Sequence, residues 1–425
     1  MIPASTPRDM SPLSVQTAFS SPPSGASSAL DLSALRIAFV SGNYNCLRDG
    51  ANRAQNMLVR YLIEHGAQVR IYSPTCDTPA FEPAGELVSV PSTPLPFGRK
   101  EYRMAWRLSR STREDIAAFA PNLFHISLPL LHGKSALHLA RRMGVPVVAA
   151  MHTRFETYPR YYGLGILEQP LLGLLRRFYQ ACDHVVAPCE SAARTMEAQG
   201  MSSQVGIWTR GVDPDVFHPG RRDEAWRREL GFAEDLPVVA FLGRLVLEKG
   251  LDDFAATIAR LRRKAPAFGV LVIGDGPARA EFEQTLGDAV FVGYQHGEEL
   301  ARAVASADIL LNPSSTEAFG NVSLEAMASG LPVVAADATG NSNIVVDGLT
   351  GALIPPGDTE GYAGAVLRYL SDPLLRKAHG FNATAHSQSF TWDRASEGIA
   401  LIYLKALTGQ TGEDASDEPV LTSSP

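Results

Sequence analysis

Two glutamates, Glu317 and Glu325, stand with seven residues between them in Thr316-Glu317-Ala318-Phe319-Gly320-Asn321-Val322-Ser323-Leu324-Glu325. The stretch lies between an apolar run, Ile309-Leu310-Leu311, and a segment that reads as a helix from about Gly320 to Ser329. A helix start offers unpaired N–H groups and partial positive charge, which suits a phosphate. Glu317 precedes that start. Glu325 lies more than one turn inside it, roughly 10 Å along the axis at about 1.5 Å per residue. One carboxylate can accept hydrogen bonds from sugar hydroxyls at one end of a sugar nucleotide, and the other can reach the ribose diol at the opposite end. Paired glutamates alone are common on solvated helices. Pro313, Phe319, Gly320 and the run Glu325 to Gly330 around them favour a working role.

Other chemistry-bearing residues also follow apolar runs. Gly243-Arg244-Leu245-Val246-Leu247-Glu248-Lys249-Gly250 leaves one strand and enters a helix, and Gly274-Asp275-Gly276-Pro277 follows another. Glycine in the second loop permits close backbone approach to a ligand, or marks a plain turn. His152 follows the run Val145 to Ala150, and Tyr158, Tyr161 and Tyr162 come next on the same loop. Asp213-Pro214-Asp215 has the look of a divalent-metal motif, but its position between the two halves of the chain argues for a turn, so no metal site is assigned. Basic and aromatic residues alternate over residues 97–113, as a solvated helix face or a surface that rests on anionic membrane would.

The elements that must position these residues are legible as strand–helix alternation. Strands are expected at Arg36–Val40, Gln68–Tyr72, Asn122–Ile126, Val145–Ala149, His184–Ala187 and Gln204–Trp208, with helices over about Ala51–His65, Lys134–Met143 and Leu171–Ala181 between them. A second series runs through Val238–Leu242, Gly269–Ile273, Val290–Val292, Ile309–Leu311 and Pro332–Ala335, and a last helix covers Asp393–Ala406. Such alternation implies parallel sheets covered on both faces. The expected organisation is a disordered Ser- and Pro-rich leader (1–33), an N-terminal domain (34–208), a linker (209–237), a C-terminal domain (238–390), a helix returning to the first domain (391–408) and a disordered acidic tail (409–425). Ligands of open α/β sheets sit beyond the carboxyl ends of the strands, so the cleft between two such domains is the expected site.

A chain of 425 residues with net charge −7 suits two soluble domains and excludes a general nucleic-acid binder. Cys46, Cys76, Cys182 and Cys189 have the spacing of neither a zinc site nor a redox pair. With no run long enough to span a bilayer and no secretory signal at the N-terminus, the cytoplasm is the expected compartment.

Asp49-Gly50-Ala51-Asn52-Arg53, Met151-His152-Thr153, Tyr158 with Tyr161-Tyr162-Gly163, Arg210-Gly211-Val212-Asp213, Gly243-Arg244 with Glu248-Lys249, Gly274-Asp275-Gly276-Pro277 and the glutamate pair together resemble the retaining glycosyltransferases of family GT4. Closest in pattern is the glycolipid-forming branch of GDP-mannose-dependent mannosyltransferases and sulfoquinovosyl-diacylglycerol synthases. The resemblance runs from about Arg36 to Leu407. It implies the GT-B fold, in which two Rossmann-like domains face each other across a cleft and a C-terminal helix crosses back. It also implies a nucleoside diphosphate sugar (UDP- or GDP-) as donor, no required cofactor, and a lipid acceptor at an anionic membrane surface, the inner face of the cell membrane. Arg244 and Lys249 would hold the diphosphate and stabilise the charge on the departing phosphate. Glu317 and His152 would address the transferred sugar, His152 by orientation and polarisation. Gly42, Gly50, Gly274, Gly293, Tyr294, Phe319, Gly320, Asn321, Val322 and Glu325 would surround the donor. Asp49, Tyr158, Tyr161 and Tyr162 are assigned to the acceptor side, with packing aromatics the alternative for the tyrosines. Thr339-Gly340-Asn341-Ser342-Asn343-Ile344 stands where relatives usually carry paired glycines and an acidic residue, a departure that bears on which sugar is taken.

Two other readings use the same residues. A soluble glycan or small molecule could replace the lipid as acceptor, or the chain could be a sugar-nucleotide epimerase of the same fold. A non-catalytic sensor has no use for the full set of Arg244, Lys249, Glu317 and Glu325.

Overall fold

The computed structural model describes residues 30–47, 49–94, 103–152 and 165–409. Asp31 onward forms one compact unit built on two parallel sheets. The first contains β1 (Arg36–Val40), β2 (Gln68–Ser73) and β3 (Glu86–Ser89). β4 (Ser92–Pro94) and β5 (Arg103–Ala105) form a separate antiparallel pair. β6 (Leu123–Ile126), β7 (Val147–Ala150), β8 (His184–Ala187) and β9 (Val205–Ile207) complete the first sheet in the order β3-β2-β1-β6-β7-β8-β9. The second sheet comprises β10 (Val238–Leu242), β11 (Gly269–Ile273), β12 (Val290–Gly293), β13 (Ile309–Asn312), β14 (Val333–Ala336) and β15 (Gly351–Ile354). Its order is β12-β11-β10-β13-β14-β15.

In each sheet the winding reverses beside the first strand, between β1 and β6 and between β10 and β13. The loops leaving these four strands diverge, which opens a crevice at their carboxyl ends. The central strands carry near-continuous apolar runs because helices cover both faces: β1, β6, β7, β11, β13 and β14 are buried almost throughout. The helix Gly50–Glu64 illustrates the covering layer. It buries Leu58, Val59 and Leu62, each such side chain contributing about 1.5–3 kcal/mol. β3 and β15 are not legible in the sequence: β3 sets two apolar residues between Glu86 and Ser89, and β15 runs straight into Pro355-Pro356-Gly357, which reads as a loop.

Two expectations need correction, and one gains detail. Packing starts before residue 34: Leu32 is fully buried and its N–H donates to the His65 carbonyl at 2.9 Å, so the N-terminal domain begins earlier than expected. The stretch 209–237, read as a linker with a small helix, does carry one and is docked. Its helix Glu224–Glu229 starts at an Asp223 cap, and the buried Arg227 donates to Asp308 at 3.2 Å and to the Leu236 carbonyl at 2.7 Å. The basic–aromatic stretch 97–113 is not one helix face: residues 97–102 lie outside the described residues, 103–105 are β5, and the helix Arg110–Phe119 begins afterwards.

The helix Trp392–Thr408 crosses back to pack on the helix Gly50–Glu64 and on β6, β7 and β9. Gly211 is where the crossing strand of chain passes closest, since a Cβ there would overlap the backbone of Thr391 and Trp392. No helix among the described residues is long and apolar enough to cross a membrane.

Candidate functional site in the interdomain cleft

Loops from both sheets line one cleft of about 1740 Å³. On the C-terminal wall, the helix Asn321–Ala328 starts at Gly320, whose φ of +99° explains the glycine. No side chain caps this helix, so its first N–H groups remain for a ligand. Glu317 precedes it on a braced loop. The Glu317 carbonyl accepts from the Thr339 hydroxyl at 2.7 Å and the Gly340 N–H at 2.9 Å, and Thr316 Oγ1 donates to the Glu248 carbonyl at 2.9 Å. Lys249 Nζ meets Glu317 Oε1 at 2.6 Å, with the glutamate side chain only 11% exposed. Arg244, second in the loop after β10, lines the same cleft.

The N-terminal wall contributes a second helix start. Asp49 Oδ1 accepts the Asn52 N–H at 2.8 Å and caps the helix Gly50–Glu64. Gly50 lies against the Asn321 side chain, and a Cβ at Gly50 would overlap it, so the two helix starts meet across the cleft. Asp49 reaches solvent, yet the surrounding walls of the cleft raise its carboxyl above the usual range; its backbone hydrogen bonds, then Arg244 and Arg210, oppose this. Arg53 Nη1 reaches Glu325 Oε1 at 3.3 Å, and the Arg53 guanidinium carbon lies 5.6 Å from the Trp392 ring centre. Burial pushes the Glu325 carboxyl up to about 7, against the pull of Arg53.

His152 sits at the end of β7. Arg210 Nη2 donates to its Nδ1 at 3.0 Å, and its ring meets Trp208 edge-on at 5.2 Å. Burial, then the charge of Arg210, holds the imidazole well below its ordinary pKa. Arg210 is itself 3% exposed and pushed down to about 10 by burial.

Of the residues singled out from the sequence, Gly42, Asp49, Gly50, His152, Arg244, Lys249, Gly274, Tyr294, Glu317, Phe319, Gly320, Asn321, Val322 and Glu325 all line this cleft. Gly293 does not; its carbonyl accepts the Gly274 N–H at 2.8 Å behind the wall. Gly274 has a φ of +142°, and a Cβ there would overlap the Gly243 carbonyl oxygen. Its glycine therefore answers first to the packing of one strand-end loop on another. Tyr158, Tyr161 and Tyr162 lie outside the described residues. Asp213 Oδ1 accepts the Asp215 N–H at 3.0 Å, the geometry of a local turn. Among the described residues no cluster of three or more His, Cys, Asp or Glu side chains is placed to hold a metal ion.

Sequence reasoning gave no role to Arg53, Arg210 or Trp392, all of which line the cleft. The available signal was positional: Arg53 lies in the first turn of the helix after β1, and Arg210 just past β9. The departing loop also joins the domains. Asn343 Nδ2 donates to Ser191 Oγ at 2.8 Å, and Ser191 Oγ donates to the Thr339 carbonyl at 2.8 Å. Asn341, fully buried, accepts from Ser323 Oγ at 2.9 Å.

Two sequence families match the chain, "Glycosyltransferase Family 4" over residues 48–216 and "Glycosyl transferases group 1" over residues 236–372. The sulfoquinovosyl transferase of Arabidopsis thaliana is 33% identical over 356 residues, 82% of this chain and 69% of that protein. A GDP-mannose-dependent alpha-mannosyltransferase of Mycobacterium tuberculosis is 32% identical over 339 residues, 77% of this chain and 85% of that protein. Among solved structures, Anabaena HepE in complex with UDP and glucose superposes with a TM-score of 0.68 at 20% identity, covering 87% of this chain and all of that one (100%).

Proposed function

The chain belongs to glycosyltransferase family 4, has the GT-B fold and is a nucleotide-sugar glycosyltransferase, and from this premise we propose that it moves a hexose or uronic acid residue from a UDP- or GDP-sugar to a membrane-lipid hydroxyl with retention of configuration. The observation that carries the reading is the assembly on the C-terminal wall. The uncapped helix start, the Lys249–Glu317 pair at 2.6 Å, Arg244 and Glu325 all face one cleft.

In the proposed reaction the diphosphate lies at the start of the helix Asn321–Ala328. Arg244 and Lys249 neutralise the charge that grows on its β-phosphate as the bond to the sugar anomeric carbon breaks. Glu317 turns its remaining carboxylate capacity to the sugar hydroxyls, and Glu325 accepts from the ribose diol. The acceptor hydroxyl attacks on the face from which the diphosphate leaves. Its proton passes to the departing phosphate oxygen, so the new bond keeps the original configuration. Positioning and fixed charge supply the rate.

The acceptor side supports a lipid. Leu128, Leu130, Leu131, Leu174 and Phe178 line the N-terminal wall together with Lys134. Leu131 and Leu174 are 44% and 45% exposed and adjoin the buried apolar side chains of that wall, a patch an apolar chain could cover. The basic side chain beside them suits an anionic surface.

A panel of UDP- and GDP-sugars incubated with total membrane lipid, with products read by mass spectrometry, tests the assignment. A new glycolipid with the donor's anomeric configuration supports it. Transfer only to soluble glycans overturns the lipid acceptor, and conversion of the donor without any acceptor overturns transfer.

A further inference from the structure

Arg210 is one of the most enclosed cations in the protein, at 3% exposure. Its Nη1 donates to the Trp208 carbonyl at 2.8 Å and the Thr209 carbonyl at 3.0 Å, and its guanidinium carbon lies 4.8 Å from the centre of a Trp208 ring. Trp208 is buried in turn, so the guanidinium has little freedom to turn. Its Nη2 faces His152 Nδ1 at 3.0 Å. A guanidinium carries five N–H donors and no acceptor, so the only hydrogen bond this contact allows has Nδ1 as acceptor. The neutral ring then carries its proton on Nε2. An imidazolium would set N–H against N–H and one positive charge against another.

That Nε2 atom is buried and has no partner among the described residues, although His152 lines the cleft. A buried N–H without a partner is destabilising, and an incoming oxygen would relieve that cost. We propose that Arg210 is a positioning residue that locks His152 as its Nε2–H tautomer, making the imidazole an obligatory donor to an oxygen of the sugar substrate. The pair therefore recognises a lone pair and cannot accept a hydrogen bond. A substrate lacking the matching oxygen leaves the N–H stranded and is discriminated against more strongly than size alone would achieve. This rests on the cleft being the transfer site, but the tautomer itself is a property of the free protein.

The test is a nitrogen-15 spectrum of the histidine-labelled full chain, with His152 assigned by loss of its signals in His152→Gln. The expected wild-type result is an unprotonated Nδ1 and a protonated Nε2. Arg210→Met should yield a mixture of tautomers and lower kcat on the order of 10²-fold, the scale of a misplaced group, while the Kd for free UDP or GDP stays within about twofold. Arg210→Lys, which restores a donor, should recover the tautomer and most of kcat. A wild-type His152 protonated on Nδ1 overturns the proposal, as does Arg210→Met with unchanged tautomer and turnover. Should Arg210→Met fail to fold, the wild-type and Arg210→Lys spectra decide. An Nε2–H His152 in a protein that transfers no sugar would sink the functional reading and leave the tautomer assignment standing.

Discussion

Arg53 and Glu325, 272 residues apart, form an ion pair at 3.3 Å across the cleft. The pair occupies the carboxylate assigned to the ribose diol, so donor binding must exchange a guanidinium for two hydroxyls. Glu325 is also pushed up to about 7 by its burial, with Arg53 opposing. Its folded pKa lies above the ordinary carboxyl value, so the ionised form is lost as pH falls through about 7. Donor affinity should weaken over that window, and Glu325→Gln should flatten the dependence. Removing Arg53 as Arg53→Met takes away the lowering influence, so the midpoint should move up. Titration of donor Kd from pH 5.5 to 8.5 checks both, and a downward shift in Arg53→Met would contradict the account.

Arg244→Ala and Lys249→Met should each lower kcat by about 10²–10³-fold, the scale of losing one preorganised group facing developing charge. Glu317→Ala should be as damaging, because it removes the proposed sugar contact and leaves Lys249 without its carboxylate. Circular dichroism should be unchanged in all three. Wild-type turnover in both Arg244→Ala and Glu317→Ala would mean the reacting centre lies elsewhere.

Gly274→Ala forces a side chain into a φ of +142° and against the Gly243 carbonyl. Backbone strain alone should cost about 1–3 kcal/mol. Gly287→Ala is the control: φ is +68° there but nothing lies within 4 Å of the added carbon. Urea unfolding should show the larger loss at position 274, together with weaker donor binding because the loop bearing Arg244 shifts. Equal losses at the two sites would remove packing from the explanation.

Ser191, on the N-terminal domain, hydrogen-bonds Asn343 and Thr339, and Thr339 hydrogen-bonds the backbone of Glu317. Ser191→Ala should raise the donor KM, and a double-mutant cycle with Thr339→Val should return a coupling of about 0.5–3 kcal/mol. Additive effects would show that the domains do not communicate through this loop.

In the proposed reaction two fixed cations and a helix start meet the diphosphate and leave little for a divalent ion to add. Turnover should survive EDTA within about twofold, a small change beside the tenfold that 1.4 kcal/mol represents. Loss of activity on chelation, with recovery on adding magnesium, would assign the diphosphate a metal.

The sequence by itself determined what is local or periodic. Apolar runs alternating with amphipathic segments specify parallel sheets, and Glu317 with Glu325, or Arg244 with Lys249, lie close enough along the chain for helix and loop geometry to set their relation. The edge strands β3 and β15 escaped because Glu86 and Ser89 flank the two apolar residues of β3, and because Pro355-Pro356-Gly357 directly after β15 reads as a loop. Tertiary structure alone decided the pairs that cross between elements: Arg53 with Glu325, His152 with Arg210 at a separation of 58 residues, and Ser191 with Asn343 at 152. No repeat links such residues: His152 and Arg210 meet because β7 and β9 lie in one sheet, and the other two pairs because the two domains face each other. The glycine of Gly274 belongs to the same class. Its sequence suggests a ligand loop, whereas its conformation is imposed by a neighbouring backbone that only the folded sheet brings near.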